Sequence, residues 1–174
     1  HDKNLENKFS LILANPPFSG SLDYEICSPK LLSTVRTKKT ELLFVALFEK
    51  LLLNGGMCAA IVPNGVLESD SNAHEVIRKK LVHDCRLIAI ISLPHWVFKP
   101  YASVATSIII FQKASTTEKV WYYRIDADGF TEGANKMESS ENDIPELLNL
   151  WKIKDTDTYK PNKIKHRFIS KDEI

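Results

Sequence analysis

A six-residue, mostly apolar run, Phe9-Ser10-Leu11-Ile12-Leu13-Ala14, stops at Asn15 and two consecutive prolines. A run that short, closed by chain breakers, has the length of a buried parallel strand rather than of a helix. Pro16 and Pro17 end it, because neither has an N–H to donate and each fixes its own φ. Asn15-Pro16-Pro17-Phe18 therefore sets an amide, a rigid carbonyl-bearing turn and an aromatic ring at the carboxyl edge of a sheet. Open α/β sheets bind their ligands at that edge.

The rest of the chain alternates strands with helices, the pattern of an α/β fold. Residues 41–53 read as a helix that is apolar around most of its circumference, through Leu42, Leu43, Val45, Leu47, Phe48, Leu51 and Leu52. Thr40 is placed to cap it, and Asn54-Gly55-Gly56 ends it. Strand 57–62 follows, and Pro63-Asn64-Gly65 turns the chain at the same edge as Asn15. Asn72 with Glu75 suggests a capping box, opening a helix to about 82 with Ala73, Ile77 and Leu81 inward and Arg78, Lys79 and Lys80 mostly outside. Strands 86–93 and 104–112 are rich in β-branched residues, and 120–125 reads as an extra edge strand. A short helix over 143–151 is expected to turn Leu147, Leu148 and Trp151 inward. Residues 152–174 are polar and Lys-rich, and read as an extended tail or a segment that docks on a partner. Residues 19–40 form a long Ser-, Thr- and Lys-rich loop, the kind that serves as a lid or stays disordered.

At 174 residues the chain is one domain or part of one. No apolar run approaches a membrane span and no signal peptide is visible, while the polar start His1-Asp2-Lys3-Asn4 reads as a truncated beginning. Cys27, Cys58 and Cys85 are far apart and form no Cys-x-x-Cys pair, which argues against a zinc site or a disulfide framework. Cys58 reads as a core thiol, and a reducing, cytoplasmic location follows. Asp126-Ala127-Asp128-Gly129 lacks the ligand spacing of a calcium loop and reads as a turn, so no metal is expected. His95 belongs to no triad or ligand set. The net charge of +1 is weak for a protein that holds a polyanion alone. The charges are segregated: Lys30, Arg36, Lys38 and Lys39 lie after the Asn-Pro-Pro-Phe turn, an acidic stretch runs from Asp126 to Glu146, and a basic one from Lys152 to Arg167.

The Asn15–Phe18 set suits attack by an exocyclic amino group on an electrophilic methyl. Such an amino lone pair is delocalised into its ring and is a poor nucleophile. The Asn15 side-chain carbonyl and the Pro16 backbone carbonyl could each accept one amino hydrogen, aim the lone pair and stabilise the positive charge growing on nitrogen. Phe18 would stack on a base taken out of its duplex. The competing reading of the bare tetrapeptide is a strand-ending turn with a buried Phe.

These residues resemble the catalytic motif of amino-methyltransferases acting on adenine N6. Further segments resemble the modification (methyltransferase) subunit of type I restriction-modification systems in order and spacing from about residue 9 to residue 125. They are Leu11–Phe18, Thr40-Glu41-Leu42-Leu43-Phe44, Leu53-Asn54-Gly55-Gly56, Val62-Pro63-Asn64-Gly65-Val66-Leu67, Ile77-Arg78-Lys79-Lys80-Leu81, Ser92-Leu93-Pro94, Val97-Phe98 and Thr106–Phe111. The resemblance implies the carboxyl-terminal part of a Rossmann-like S-adenosylmethionine-dependent fold, its sheet mostly parallel with one antiparallel strand. That strand, 104–112, would lie next to 57–62. Residues 1–125 would form a partial catalytic domain and 126–174 an extension. Asn15, Pro16, Pro17 and Phe18 would be catalytic, with Lys38, Lys39 and Trp96 on the substrate side. Of the aromatics in loop 94–101, Phe98 reads as a plug for the end of the sheet. The partners implied are DNA and the specificity and restriction subunits of a type I complex, with no membrane.

Two departures stand out. The family's glycine-rich cofactor loop and ribose-binding acid are absent, since none of the six glycines makes a Gly-x-Gly turn, so no cofactor-binding residue is assigned. His95-Trp96 occupies a loop where the family more often has small or acidic residues. The isolated chain is thus expected to be inactive alone, and an unfilled sheet edge could drive self-association. Two other readings stand beside this one: a protein-glutamine or RNA methyltransferase of the related Asn-Pro-Pro class, which Phe18 in place of the usual Tyr argues against, and a non-catalytic subunit-contact module.

Overall fold

The computed structural model describes residues 5–174. Its elements run β1 (Phe9–Ala14), α1 (Pro29–Leu32), α2 (Thr40–Leu51), β2 (Leu52–Pro63), α3 (Gly65–Glu68), α4 (Asn72–Lys79), a π-turn (Lys80–Asp84), β3 (Cys85–Ser92), β4 (Thr106–Lys113), β5 (Lys119–Arg124), β6 (Asp128–Phe130), β7 (Glu138–Asn142), α5 (Ile144–Ile153) and β8 (His166–Ser170). Six strands form one sheet in the order β1-β2-β4-β3-β5-β8, and β6 pairs with β7 as a separate hairpin. β1 with β2 and β3 with β5 are parallel. β4 runs antiparallel between β2 and β3, in the place expected for strand 104–112. A Rossmann-like mixed sheet is thus present, with a second reversed strand, β8, against β5.

β8 corrects the tail reading of residues 152–174. Its sequence, His166-Arg167-Phe168-Ile169-Ser170, carries only two apolar residues, a composition that an edge strand tolerates and a central one does not. It also makes β5 an interior strand. The β8 edge is blunted: the His166 N–H and C=O both bond Asn162, and the Ser170 N–H donates to Glu173. Capped backbone of this kind suppresses further pairing.

Helices cover one face of the sheet. Leu42, Leu43, Val45, Ala46 and Phe48 of α2 and Ile77 of α4 pack on Cys58, Ala60, Val62, Ile109, Phe111 and Val120. Burying each large side chain stabilises by about 1.5–3 kcal/mol before entropy is counted. Burial also pushes the Cys58 thiol up to about 12 and Cys85 to about 11, so both are unreactive core thiols. The opposite face carries a second core, where Ala89, Ile91, Trp121 and Tyr123 meet Leu147, Trp151, Tyr159 and Phe168. Trp121 Nε1–H donates to the Tyr159 hydroxyl at 3.0 Å, and that oxygen lies 3.1 Å from His166 Nδ1. Tyr159 receives from Trp121 and so gives its own proton to His166, which assigns the Nε2–H tautomer to that ring. Towards β1 this second face is bare: Phe9, Leu11 and Leu13 are exposed.

Some local expectations give way: α2 ends at Leu51, and Asn54-Gly55-Gly56 lies within β2 rather than closing the helix. Ser71, not Asn72, occupies the N-cap of α4, and its hydroxyl meets His74 Nδ1 rather than a backbone N–H. Thr40 is the first residue of α2, not its cap. Leu148 points outward, one position round α5 from the buried Leu147.

His74 and His166 are 2% and 6% exposed, and burial holds both imidazoles below the ordinary 6.5. The unfolded chain takes up a proton on each as pH falls through about 6.5, where the folded chain does not. The stability contributed by neutral, buried rings is therefore full above about 6.5 and is lost below it. The urea midpoint is expected to drop between about pH 7.5 and about pH 5.5, and less so when His166 is replaced by Gln; an unchanged midpoint would contradict this.

Candidate active site

β1 delivers the Asn-Pro-Pro-Phe turn. Its last paired residue, Ala14, lies opposite Ala60 of β2. Ile12 and Ala14 face the helix-covered core, so Leu13 and then Asn15 fall on the other side of the strand. Asn15 and Pro17 are exposed, Pro16 is buried and Phe18 is half-buried. The turn thus presents the Asn15 amide to solvent while Pro16 anchors it.

The loop from 19 to 40 is neither an open lid nor structureless. Its ends pair: Thr40 N–H donates to Gly20, Leu22 N–H to Lys38, and Ser21 bridges Lys39. A Cβ at Gly20 would come within 2.9 Å of Thr40 Oγ1, so the close approach of the two ends requires glycine there. Between them the chain folds through α1 and buries Cys27, Leu31, Val35 and Thr37. This closure sets Lys39 and Lys38, both exposed, against Ser21 and Leu22, three and four positions after Phe18. Lys38 bonds Asp23 at 2.9 Å, which raises its pKa, and its ammonium lies over the Tyr24 ring.

The link between β3 and β4, residues 93–105, returns to this edge. Phe98 meets Phe18 edge-on, with ring centroids 4.7 Å apart and planes at 68°. Trp96 instead packs edge-on against His95 at 4.9 Å. Hence the structure joins Phe18 with Phe98, sets Trp96 against its neighbour in the loop, and ties Lys38 and Lys39 to residues 21–24 rather than to Asn15–Phe18. The signal for Phe98 in the sequence was its place in a loop of three aromatics; the partner was not legible. Asn64, at the end of β2, is held by Ser107, whose hydroxyl donates to Asn64 Oδ1 at 2.9 Å.

Among the described residues, four buried side-chain atoms lack a hydrogen-bond partner: Thr40 Oγ1, Glu41 Oε2, Trp96 Nε1 and Thr106 Oγ1. All four belong to this one edge. Thr40 and Glu41 open α2, Thr106 opens β4 opposite Pro63, and Trp96 lies in the connecting loop. An unpaired buried polar group costs about 1–3 kcal/mol, so these four are groups at this edge that protein atoms alone do not satisfy.

A family model described as N-6 DNA Methylase matches residues 1–173. The chain belongs to the N-6 DNA methylase family. This chain is 32% identical over 130 residues to the type I restriction enzyme EcoEI methylase subunit of Escherichia coli, an alignment covering 71% of this chain and 26% of that protein. Its fold is similar to that of a modification subunit of a putative type I restriction enzyme from Vibrio vulnificus YJ016, with a TM-score of 0.72 and 29% identity over 92% of this chain and 33% of that one. It is also similar to the type I restriction enzyme EcoKI M protein, with a TM-score of 0.67 and 25% identity, covering 84% of this chain and 31% of that one. The chain thus spans about a quarter to a third of the length of these relatives. Its six glycines form no Gly-x-Gly turn. Among the described residues no helix is long and apolar enough to cross a membrane.

Proposed function

We propose that this chain is the base-gripping part of a DNA adenine-N6 methyltransferase, the modification subunit of a type I restriction-modification system. The observation that carries the reading is the Asn15–Phe18 turn at the carboxyl end of β1 with Phe98 set edge-on against Phe18, in a chain of the N-6 DNA methylase family. The Asn15 side-chain carbonyl and the Pro16 backbone carbonyl accept the two amino hydrogens of a flipped adenine. The two dipoles then oppose the positive charge that grows on nitrogen as it attacks the methyl carbon. Pro17 keeps the turn rigid and Phe18 stacks on the base. The methylated amine sheds its proton without a dedicated base, because methylation makes it far more acidic.

S-adenosylmethionine is the methyl donor of the longer protein and supplies the electrophilic carbon. Without a Gly-x-Gly cofactor loop, the 174-residue chain alone is inactive in this reading. Lys38 and Lys39 contact phosphate beside the flipped base, and Trp96 lines the same mouth. Near-neutral charge supports leaving sequence recognition to a specificity subunit, with a restriction subunit completing the complex. The cysteines are free and buried, which suits a reducing cytoplasm.

The test is the acceptor. The longer protein containing this chain is assayed with labelled donor on duplex DNA, RNA and glutamine peptides. N6-methyladenine in DNA is the expected product; label confined to RNA or peptide would overturn the assignment.

A further inference from the structure

The hairpin β6–β7 lies outside the turn that carries the chemistry, yet its tip reaches the loop that holds Phe98. Glu132 Oε1 lies 3.2 Å from His95 Nε2 and 3.4 Å from Lys99 Nζ. Lys136 Nζ donates to the Val97 carbonyl and lies 3.7 Å from Asp128 Oδ2 in the same hairpin. Residues 95, 97 and 99, the alternate positions around Phe98, are thus all held by one structure, while Phe98 itself turns to Phe18.

The hairpin is a firm support. At its foot, Asp143 Oδ2 accepts the N–H groups of Asp126 and Ala127 at 2.7 and 3.1 Å. Asp143 Oδ1 accepts from Lys165, which also bonds Glu146, and Glu146 takes the Tyr123 hydroxyl at 2.7 Å. Burial opposes the Lys165 charge, but its two carboxylate partners outweigh it and raise its pKa. At the tip, Thr131 N–H donates to the Met137 carbonyl and Met137 N–H to Thr131 Oγ1. A continuous path of contacts therefore runs from β5 through Asp143 to the hairpin tip, the 94–101 loop, Phe98 and Phe18.

We propose that Glu132 is a positioning residue for the methyl-transfer site, holding the 94–101 loop so that Phe98 fixes the ring of Phe18 against the target base. This rests on the reading that Phe18 stacks on that base. Exposed ion pairs add little to stability, so the contribution of Glu132 falls on geometry. Small displacements of a positioning group cost far more in rate than in stability.

The experiment compares Glu132→Ala, Glu132→Lys and the charge-swapped pair Glu132→Lys/Lys99→Glu in the longer protein, with Asn15→Ala as the control for the reading itself. Glu132→Ala is expected to lower kcat/KM for DNA by about 10-fold while leaving the KM for the methyl donor and the melting temperature unchanged. Glu132→Lys is expected to lose more, and the swapped pair to recover most of the loss. High salt is expected to shrink the difference between wild type and Glu132→Ala, because exposed pairs are screened. If Asn15→Ala abolishes transfer but both Glu132 variants keep wild-type kcat/KM, the positioning role is wrong and the site reading stands. If Asn15→Ala leaves transfer intact, both fail. Equal losses in melting temperature and activity without recovery by the swapped pair would reduce Glu132 to a structural residue and overturn the proposal.

Discussion

Asn15→Ala in the longer protein is expected to lower methyl transfer by about 10²–10³-fold, the loss seen when one preorganised dipole is removed from a reacting charge. The amide sits at the end of β1 on an exposed position, so its truncation removes no core contact and is expected to leave the urea midpoint unchanged, as surface changes do. The turn survives, because Pro16 stays buried and Pro17 fixes the backbone. What is lost is one of two acceptors that localise the amino lone pair. Asn15→Asp keeps an acceptor oxygen and is expected to lose less than alanine. The measurement is initial rate with labelled donor on a DNA substrate, beside an unfolding curve. Wild-type methylation by Asn15→Ala would remove the role assigned to the turn; a collapsed unfolding midpoint would show that Asn15 is structural.

Trp121→Ala is expected to destabilise the chain by about 3–5 kcal/mol, the range for deleting a buried large aromatic side chain. Trp121 is fully buried at the centre of the second core. Its ring lies 5.5 Å from Tyr123 and 5.7 Å edge-on from Trp151, and its indole N–H satisfies Tyr159. The substitution leaves a cavity and strips the Tyr159 oxygen of its donor at once. Trp121→Phe keeps most of the volume and is expected to cost clearly less. Urea unfolding of the wild type and both variants measures this. Equal, small shifts would mean that α5 and the 154–170 segment are loosely attached rather than part of the core.

The strands and helices were legible where periodicity and breakers agreed. Phe9–Ala14, Thr40–Leu51 and Cys85–Ser92 fall within one or two residues of the expected spans. The antiparallel insertion of β4 followed from the resemblance, since two apolar strands joined by a loop can pair in more than one order. β8 was hidden because an edge strand needs neither a continuous apolar run nor strict alternation. The helical pattern places Arg78 mostly outward, whereas in the structure it is half-buried and its guanidinium donates to the Ser69 carbonyl at 2.7 Å. Charge alone does not reveal such a bond, because long side chains bury their stems and choose partners in three dimensions. In the site, Asn15–Phe18 and the nearby lysines were visible as a local pattern. Phe98 reads from the sequence as a plug for the end of the sheet, and its contact with Phe18 was not legible because the two lie 80 positions apart.

By itself the sequence determined the order of the main elements from β1 to β5, the stop at Asn15-Pro16-Pro17 and the sheet edge where that stop falls, because strand length, helix periodicity and proline geometry are local properties of the chain. Only the tertiary structure decided which ring meets Phe18, that Gly20 and Thr40 close the basic loop, that the 166–170 segment completes the sheet, and that Glu132 reaches His95 and Lys99. Those outcomes depend on side chains distant in sequence brought together by packing, and packing selects one partner from several that the local pattern leaves equivalent.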